Sequence, residues 1–600
     1  MAPFPESIID VGYPLYGCDF DPQDSNRLFV GGGGGATKSG VGNKITLVDT
    51  SSLEKLEPAG QVELSGNEDN VANLIAGQRK GKSTLLYAGI NSSPDDLKKG
   101  KNEHFRVFSV DPPKAKAVLG ARITELSRTQ LFTTADSDTY QRLLRLSQPF
   151  AGSPQLGAVA TGFANSSHQI AIYDVAAGSN VAPKPRGVLD ITKEAIDMDV
   201  IQTADDQFQV LYCDDYDIYS VKVPKTGDVT AEPARIYSIP HDDSSGLRPA
   251  LRCLRYLTPG FAVGVANLPK AGGVVLYGFR LPKPGKEDTR ARISVNAKLP
   301  KRQGLKATGL AVANLSPVTS PGAKQGDAQF VLAVTGTDLS IHLYTLDHQR
   351  IGDIDMLANL LPLTTLRNVH TAMVTGLSFS HFAPPERGTS RTQHLKLAST
   401  SVGNAVAVQS IPLRKFIDPS APVRRGGPPR QPRYVVAMKS RRPTIWGLLT
   451  GITCFVLLLA ILLQGILEVK GLAPPTVGGH KWLPSSIHSA PPRVVPPHGG
   501  FLTKLLAGKS SDNGGEKQQV VVLDVDGKEV EVLTTTTLAA ATASGEPAAT
   551  SWEDLAPEQK AAWKDRLKRA GHWAEEHGET IFKGVLFGEL AGVVGGIVAG

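Results

Sequence analysis

Residues 16–49 read YGCDFDPQDSNRLFVGGGGGATKSGVGNKITLVD. Three short runs stand out in that stretch: YGCDF (16–20), RLFVGGG (27–33) and KITLVD (44–49), with polar or glycine-rich residues between them. Short apolar runs rich in β-branched and aromatic residues, bounded by Gly, Pro, Asp, Asn or Ser, mark strands rather than helices. The same triplet returns six more times. It reads ANLIAG (72–77), LLYAGI (85–90) and FRVFSV (105–110); then RLLRLS (142–147), GAVATGF (157–163) and QIAIYDV (169–175). AIDMDVI (195–201), QVLYCDD (209–215) and DIYSVKV (217–223) come next, followed by LRCLRYL (251–257), FAVGVAN (261–267) and GVVLYGF (273–279). The last two sets are TGLAVAN (308–314), FVLAVTG (330–336), SIHLYTL (340–346) and TGLSFS (375–380), LKLASTS (395–401), AVAVQSI (405–411). Seven such units predict an all-β, WD40-like seven-bladed β-propeller over residues 1–413, since radial repetition leaves only short sheet edges. A pair of two-sheet sandwiches is the competing arrangement. The mean repeat of about 60 residues exceeds the roughly 40–45 of a WD40 unit, so long insertions between strands are expected. No tryptophan occurs in residues 1–445, so no WD dipeptide exists and periodicity alone carries the fold. The extended segment Ser7–Val11 is suited to joining the last blade and closing the ring.

Beyond the repeats the composition changes. From Ile445 to Leu467 the chain runs IWGLLTGITCFVLLLAILLQGIL without a charged residue. As a helix this covers roughly 34 Å, enough for a hydrocarbon core of about 30 Å, and predicts a single transmembrane span. Nine Lys/Arg and one Asp crowd residues 414–442, whereas Lys470 and Lys481 are the nearest basic residues on the other side. That bias predicts a cytosolic N-terminus and a lumenal C-terminus. The first thirty residues hold no apolar signal core, so the internal helix is expected to serve as a type II signal anchor. Residues 414–444 then read as a basic juxtamembrane linker and 468–600 as a lumenal segment.

The net charge of +7 invites a nucleic-acid reading, but its location argues otherwise. Residues 468–600 carry 13 basic and 16 acidic residues, so the excess sits beside the membrane helix. Such a stretch is drawn to anionic lipid, and no nucleic-acid partner is expected. Four cysteines, Cys18, Cys213, Cys253 and Cys454, show no zinc spacing and leave the lumenal part without a disulfide framework. The sequons at Asn91, Asn165 and Asn314 fall on the cytosolic side and should stay unmodified. In the lumenal part, a tether is expected over 471–500 and a hairpin over Val520–Leu533, turning at Asp526-Gly527. Residues 534–550 read as disordered. A helix is expected from Ser551, followed by glycines at every fourth residue, 584, 588, 592, 596 and 600, a stripe suited to lying against lipid or another helix.

The glycine run Gly31–Gly35 and the residues up to Asp49 form the most unusual local feature. Residues 32–39, GGGGATKS, come within one residue of the phosphate-binding pattern G-x-x-x-x-G-K-[ST]. Thr37 stands where the final glycine belongs, and the strand Lys44–Val48 follows instead of a helix able to hold an anion. Nucleotide binding is therefore not expected. Five glycines are entropically costly to order without a partner for their backbone. Such a loop can aim several carbonyl oxygens at one hard, weakly held cation such as potassium.

VGYPLYGCDF (11–20) and LFVGGGGGATKSGVGNKI (28–45) closely resemble the opening of the Sec-twelve family. The matching elements are Gly12-Tyr13-Pro14, the run Gly31–Gly35, and the close Gly40, Val41, Gly42, Asn43, Lys44; Gly42 stands where the family usually has proline. The stretch from VTGLSFS to AVAVQSIPL, ending at Leu413, fits the family's last blade. The resemblance implies a guanine-nucleotide exchange factor for a Sar-type small GTPase, anchored in the endoplasmic reticulum membrane and starting COPII coat assembly. It implies a potassium ion in the loop, carried over to Gly33, Gly34, Gly35, Ser39 and Asn43. It also implies that Asn43 and Val41, with Gly40 setting the backbone, work on the GTPase as exposed loop residues. No covalent chemistry and no small-molecule substrate are expected. The alternative is a membrane-anchored propeller that scaffolds coat or GTPase components without exchange.

Overall fold

Short, largely buried apolar strands separated by polar turns produce antiparallel meanders in the computed structural model. It describes residues 4–436 except 37–39, 113–119, 134–138, 164–166, 176–181, 242–246, 283–289, 386–391, 418–432 and a few single positions. It also describes most of 442–484, the stretches 519–523, 530–534 and 550–551, and positions 557, 558 and 561. Residues 1–440 form one compact unit and 441–600 another.

The first unit opens with β1 (Glu6–Asp10). Blade 1 is β2 (Leu15–Asp21), β3 (Asp24–Gly32), β4 (Lys44–Asp49) and β5 (Glu57–Glu63). Blade 2 is β6 (Asn73–Lys80), β7 (Ser83–Gly89), β8 (Phe105–Asp111) and β9 (Arg122–Thr129), with a short helix α1 (Pro94–Lys98) between β7 and β8. Blade 3 holds β10 (Tyr140–Leu146), β11 (Leu156–Gly162), β12 (His168–Asp174) and β13 (Lys184–Ile191). Blade 4 holds β14 (Asp197–Ala204), β15 (Gln207–Cys213), β16 (Asp217–Pro224) and β17 (Ala234–Ser238). Blade 5 holds β18 (Ala250–Thr258), β19 (Phe261–Asn267), β20 (Val274–Arg280) and β21 (Arg292–Lys298). Blade 6 holds β22 (Ala307–Asn314), β23 (Ala328–Gly336), β24 (Ile341–Ile351) and β25 (Ile354–Leu366). Blade 7 is β26 (Val374–Phe379), β27 (Gln393–Ser401) and β28 (Ala405–Phe416). Its outer position is filled by β1, whose Glu6–Asp10 pair with Gln409–Ala405, and the ring is closed as the sequence predicts.

One piece of that seam differs from the expected layout. The stretch read as a basic linker contributes β29 (Arg433–Val436), which pairs with Leu413–Phe416 of β28. Tyr434 and Val436 are buried there, and Val436 N–H donates to Gln329 Oε1 of blade 6 at 2.8 Å. The outer strand of blade 7 is thus assembled from two distant segments of the chain.

Apolar clusters fill the spaces between successive blades; one joins Tyr13, Leu15 and Val30 of blade 1 to Ala398, Val406 and Val408 of blade 7. Polar side chains also link neighbouring inner strands. Asp19 Oδ2 accepts the Ala76 N–H at 2.9 Å, and Asp197 and Asp199 accept those of Leu254 and Tyr256 at 2.9 and 2.8 Å. Cys18, Cys213 and Cys253 are buried free thiols. Asn91 is buried too, its Nδ2 donating to Thr139 O, so the fold itself shields that sequon.

In the second unit, α2 (Arg442–Val469) includes Leu449–Val469, a 21-residue stretch long and apolar enough to cross a membrane. The Glu468 carboxylate accepts the N–H groups of Thr476, Val477 and Gly479, closing the turn that follows the helix. The expected hairpin forms from β30 (Gln519–Leu523) and β31 (Val530–Thr534), and β32 (Thr550–Ser551) adds to it. Asn165, the Thr/Ala-rich stretch, most of the helix expected after Ser551 and the glycine stripe lie outside the described residues.

Candidate functional site

An up-and-down blade places its second-to-third connection on the same face as the link to the next blade. In blade 1 these are residues 33–43 and 64–72. The glycine run is what lets them meet. A Cβ on Gly32 would sit 1.9 Å from Pro14 O, and one on Gly33, whose φ is +139°, would sit 2.3 Å from Asn43 Oδ1. A side chain at Gly32 would push against Pro14, and one at Gly33 would force the two legs of the loop apart. Gly33 N–H donates to Pro14 O at 2.9 Å, fixing the first leg.

Asn43 fixes the second. Its Oδ1 accepts the Gly35 N–H at 2.9 Å, and its Nδ2 donates to Ser65 O at 3.1 Å and Glu68 O at 3.0 Å. Leu64 N–H returns to Asn43 O at 2.8 Å. Asn43 is 0% exposed. The expectation of an exposed side chain offered to a partner is therefore corrected: burial inside the loop's base makes Asn43 a brace, with its amide already committed on both sides. Val41 is half-buried and packs towards the Tyr13–Leu15 cluster, so its side chain is not at the tip either. Gly40 is exposed with φ +75° and open space beside it, and Ala36 is exposed at the other shoulder. Ser39 lies outside the described residues. The lack of a helix after the loop agrees with the rejected phosphate-binding pattern, because β4 begins at Lys44.

Glu68 and Asp69 were not singled out in the sequence, where nothing marks Glu68, 25 positions away, as a partner of Asn43. Glu68 is held by Arg106 and Arg128 of blade 2. The Asp69 carboxyl oxygen would lie 3.0 Å from a Cβ on Gly35 and accepts the Asn70 N–H. No cationic side chain pairs with Asp69 among the described residues, and burial raises its pKa above the ordinary carboxylate range. Beside Gly33 and Gly35, then, the crowding atoms include Asn43 Oδ1, Gly42 O and Asp69 Oδ1. Asn43 Cα, Asn70 N and Asn70 Nδ2 also stand beside these two glycines, so oxygen and nitrogen both face the loop's base. Among the described residues there is no His/Cys/Asp/Glu cluster suited to a metal ion.

No protein-family model matches the chain. Over 150 residues, 24% of this chain, it is 30% identical to the guanine nucleotide-exchange factor SEC12 of Candida glabrata. The chain is similar to an exchange factor. The match spans 29% of that relative's length, less than a third. Solved structures with a similar course include Sqt1 of Chaetomium thermophilum, 12% identical with a TM-score of 0.36 over 68% of this chain and 98% of that one. Sqt1 of Saccharomyces cerevisiae is 10% identical with a TM-score of 0.36, over 69% of this chain and all of that one. The seven-bladed ring rests on its own strand pairing, and nothing about function is drawn from these neighbours.

Proposed function

We propose that residues 1–440 are a guanine-nucleotide exchange factor for a Sar-type small GTPase. In this reading α2 anchors the protein in the endoplasmic reticulum membrane with the ring in the cytosol, where exchange starts COPII coat assembly. The observation that carries it is the braced glycine-rich loop, ordered at its base by Asn43 and open at Ala36 and Gly40, in a chain similar to SEC12. An exchange factor binds the nucleotide-free GTPase far better than the loaded one, and by reciprocity it weakens nucleotide binding by the same factor. A loop already ordered loses less entropy on entering the switch region. The working surface includes the exposed Ala36 and Gly40, with Val41 supporting it from the ring side.

The same reading places a potassium ion at the loop, held by the carbonyls of Gly33, Gly34 and Gly35 with Ser39, Asn43 Oδ1 and Asp69 as the remaining oxygens. When bound, the ion would supply positive charge that offsets the Asp69 carboxylate and keeps those carbonyls converged. The test is release of labelled GDP from a purified Sar-type GTPase with and without residues 1–440. Acceleration is expected. Unchanged release with binding retained would favour a scaffold instead.

A further inference from the structure

We propose that Glu68 is a positioning residue, through which blade 2 sets the place of the glycine-rich loop of blade 1. Only its functional consequence rests on the exchange reading. Glu68 lies in the connection between the two blades and faces both ways. Its carbonyl accepts the Asn43 Nδ2–H at 3.0 Å, while its carboxylate takes Arg106 Nη2 at 3.1 Å and Arg128 Nη1 at 2.6 Å. Arg106 is 1% exposed. Its other arms end on Glu125 Oε1 at 3.2 Å and on Glu103 O at 2.7 Å, and Arg128 also grips Glu125. Two guanidiniums and two carboxylates balance, and Nε, Nη1 and Nη2 of Arg106 each donate to oxygen.

A buried ion cluster of this kind adds little stability over a well-packed apolar one. What it does give is direction, since the planar guanidinium fork admits few carboxylate orientations. The direction imposed on the Glu68 side chain passes through one residue to its carbonyl, then to Asn43, then to the Gly35 N–H. Asp69 N–H, bonded to Asn91 O at 3.2 Å, adds a second tie to blade 2. The loop is therefore registered against its neighbour as well as its own blade.

The experiment compares Glu68→Ala, Glu68→Gln and Arg128→Ala in the full-length protein in lipid nanodiscs. Arg128→Ala keeps the Arg106–Glu68 pair and leaves no buried charge alone, so it guards against a variant that does not fold. Amide hydrogen exchange at Gly35 is expected to rise about tenfold in Glu68→Ala and less in the other two, as a lost charged hydrogen bond implies. The amides of Phe29 and Leu47, in the ladder of the same blade, should not move. If Gly35 stays protected in all three variants, or if Phe29 and Leu47 loosen in step with it, the positioning role is overturned. GDP release measured alongside should slow as Gly35 loosens; release held at the wild-type rate overturns the functional consequence. Should the wild type itself fail to speed release, the exchange reading falls while Gly35 protection still decides the positioning role.

Discussion

At the scale of single residues, burial turns side chains of ordinary chemistry into structural commitments. Asn43→Ala removes three hydrogen bonds at once and strands the Ser65 and Glu68 carbonyls. The expected cost is about 2–3 kcal/mol of unfolding free energy, read by urea denaturation, together with loss of exchange. Exchange lost with stability unchanged would return Asn43 to the role of a contact residue. His104 is a second case. It is fully enclosed, with Nδ1 against Gln141 Oε1 at 2.8 Å and Nε2 accepting the Leu131 and Phe132 N–H groups. Those bonds require the neutral ring, and burial pushes its pKa down from 6.5 to about 4. Between those values the unfolded chain binds the proton more readily than the folded one. Stability is thus fully present above pH 6.5 and declines as pH falls towards 4, by roughly 3 kcal/mol for this group. Denaturation midpoints at pH 7 and pH 5 should separate in the wild type and draw together in His104→Gln.

At the scale of elements, the glycine-rich loop invites an ionic test. Replacing potassium by lithium in the buffer should weaken Gly35 amide protection and slow GDP release, leaving the ring's melting unchanged; insensitivity of both readouts would remove the ion from the loop. The strands themselves show what a sequence reveals. Three strands per blade could be read because their apolar runs are buried almost throughout, as in LGAVATG of β11. The fourth strands of blades 1 to 6 could not. β21, RISVNAK, exposes most of its length and β5, EPAGQVE, buries none of its residues fully, so neither carries an apolar signature. β29 was hidden for another reason: four residues in an Arg- and Pro-rich stretch gain their identity only from the partner strand β28. Likewise the glycine run pointed to the loop, but the burial of Asn43 depends on Ser65 and Glu68, which no local pattern connects to it.

At the scale of the whole molecule, ring closure and the chain's exit towards α2 meet at one seam. Tyr434 packs edge-on against Phe382 at 5.3 Å and is buried. Tyr434→Ala should lower stability by about 3 kcal/mol, and a chain ending at residue 432 should melt below one ending at 440. Equal melting of the two would show that β29 adds nothing to the ring. β29 is also the last strand before the chain continues into α2, and that gives it a mechanical meaning. With α2 in a membrane, as proposed above, tension along the chain would load the four residue pairs of β28 and β29 before the strands inside them. In that setting β29 stands in series between the pull and the ring, and its four pairs are the first that the load meets.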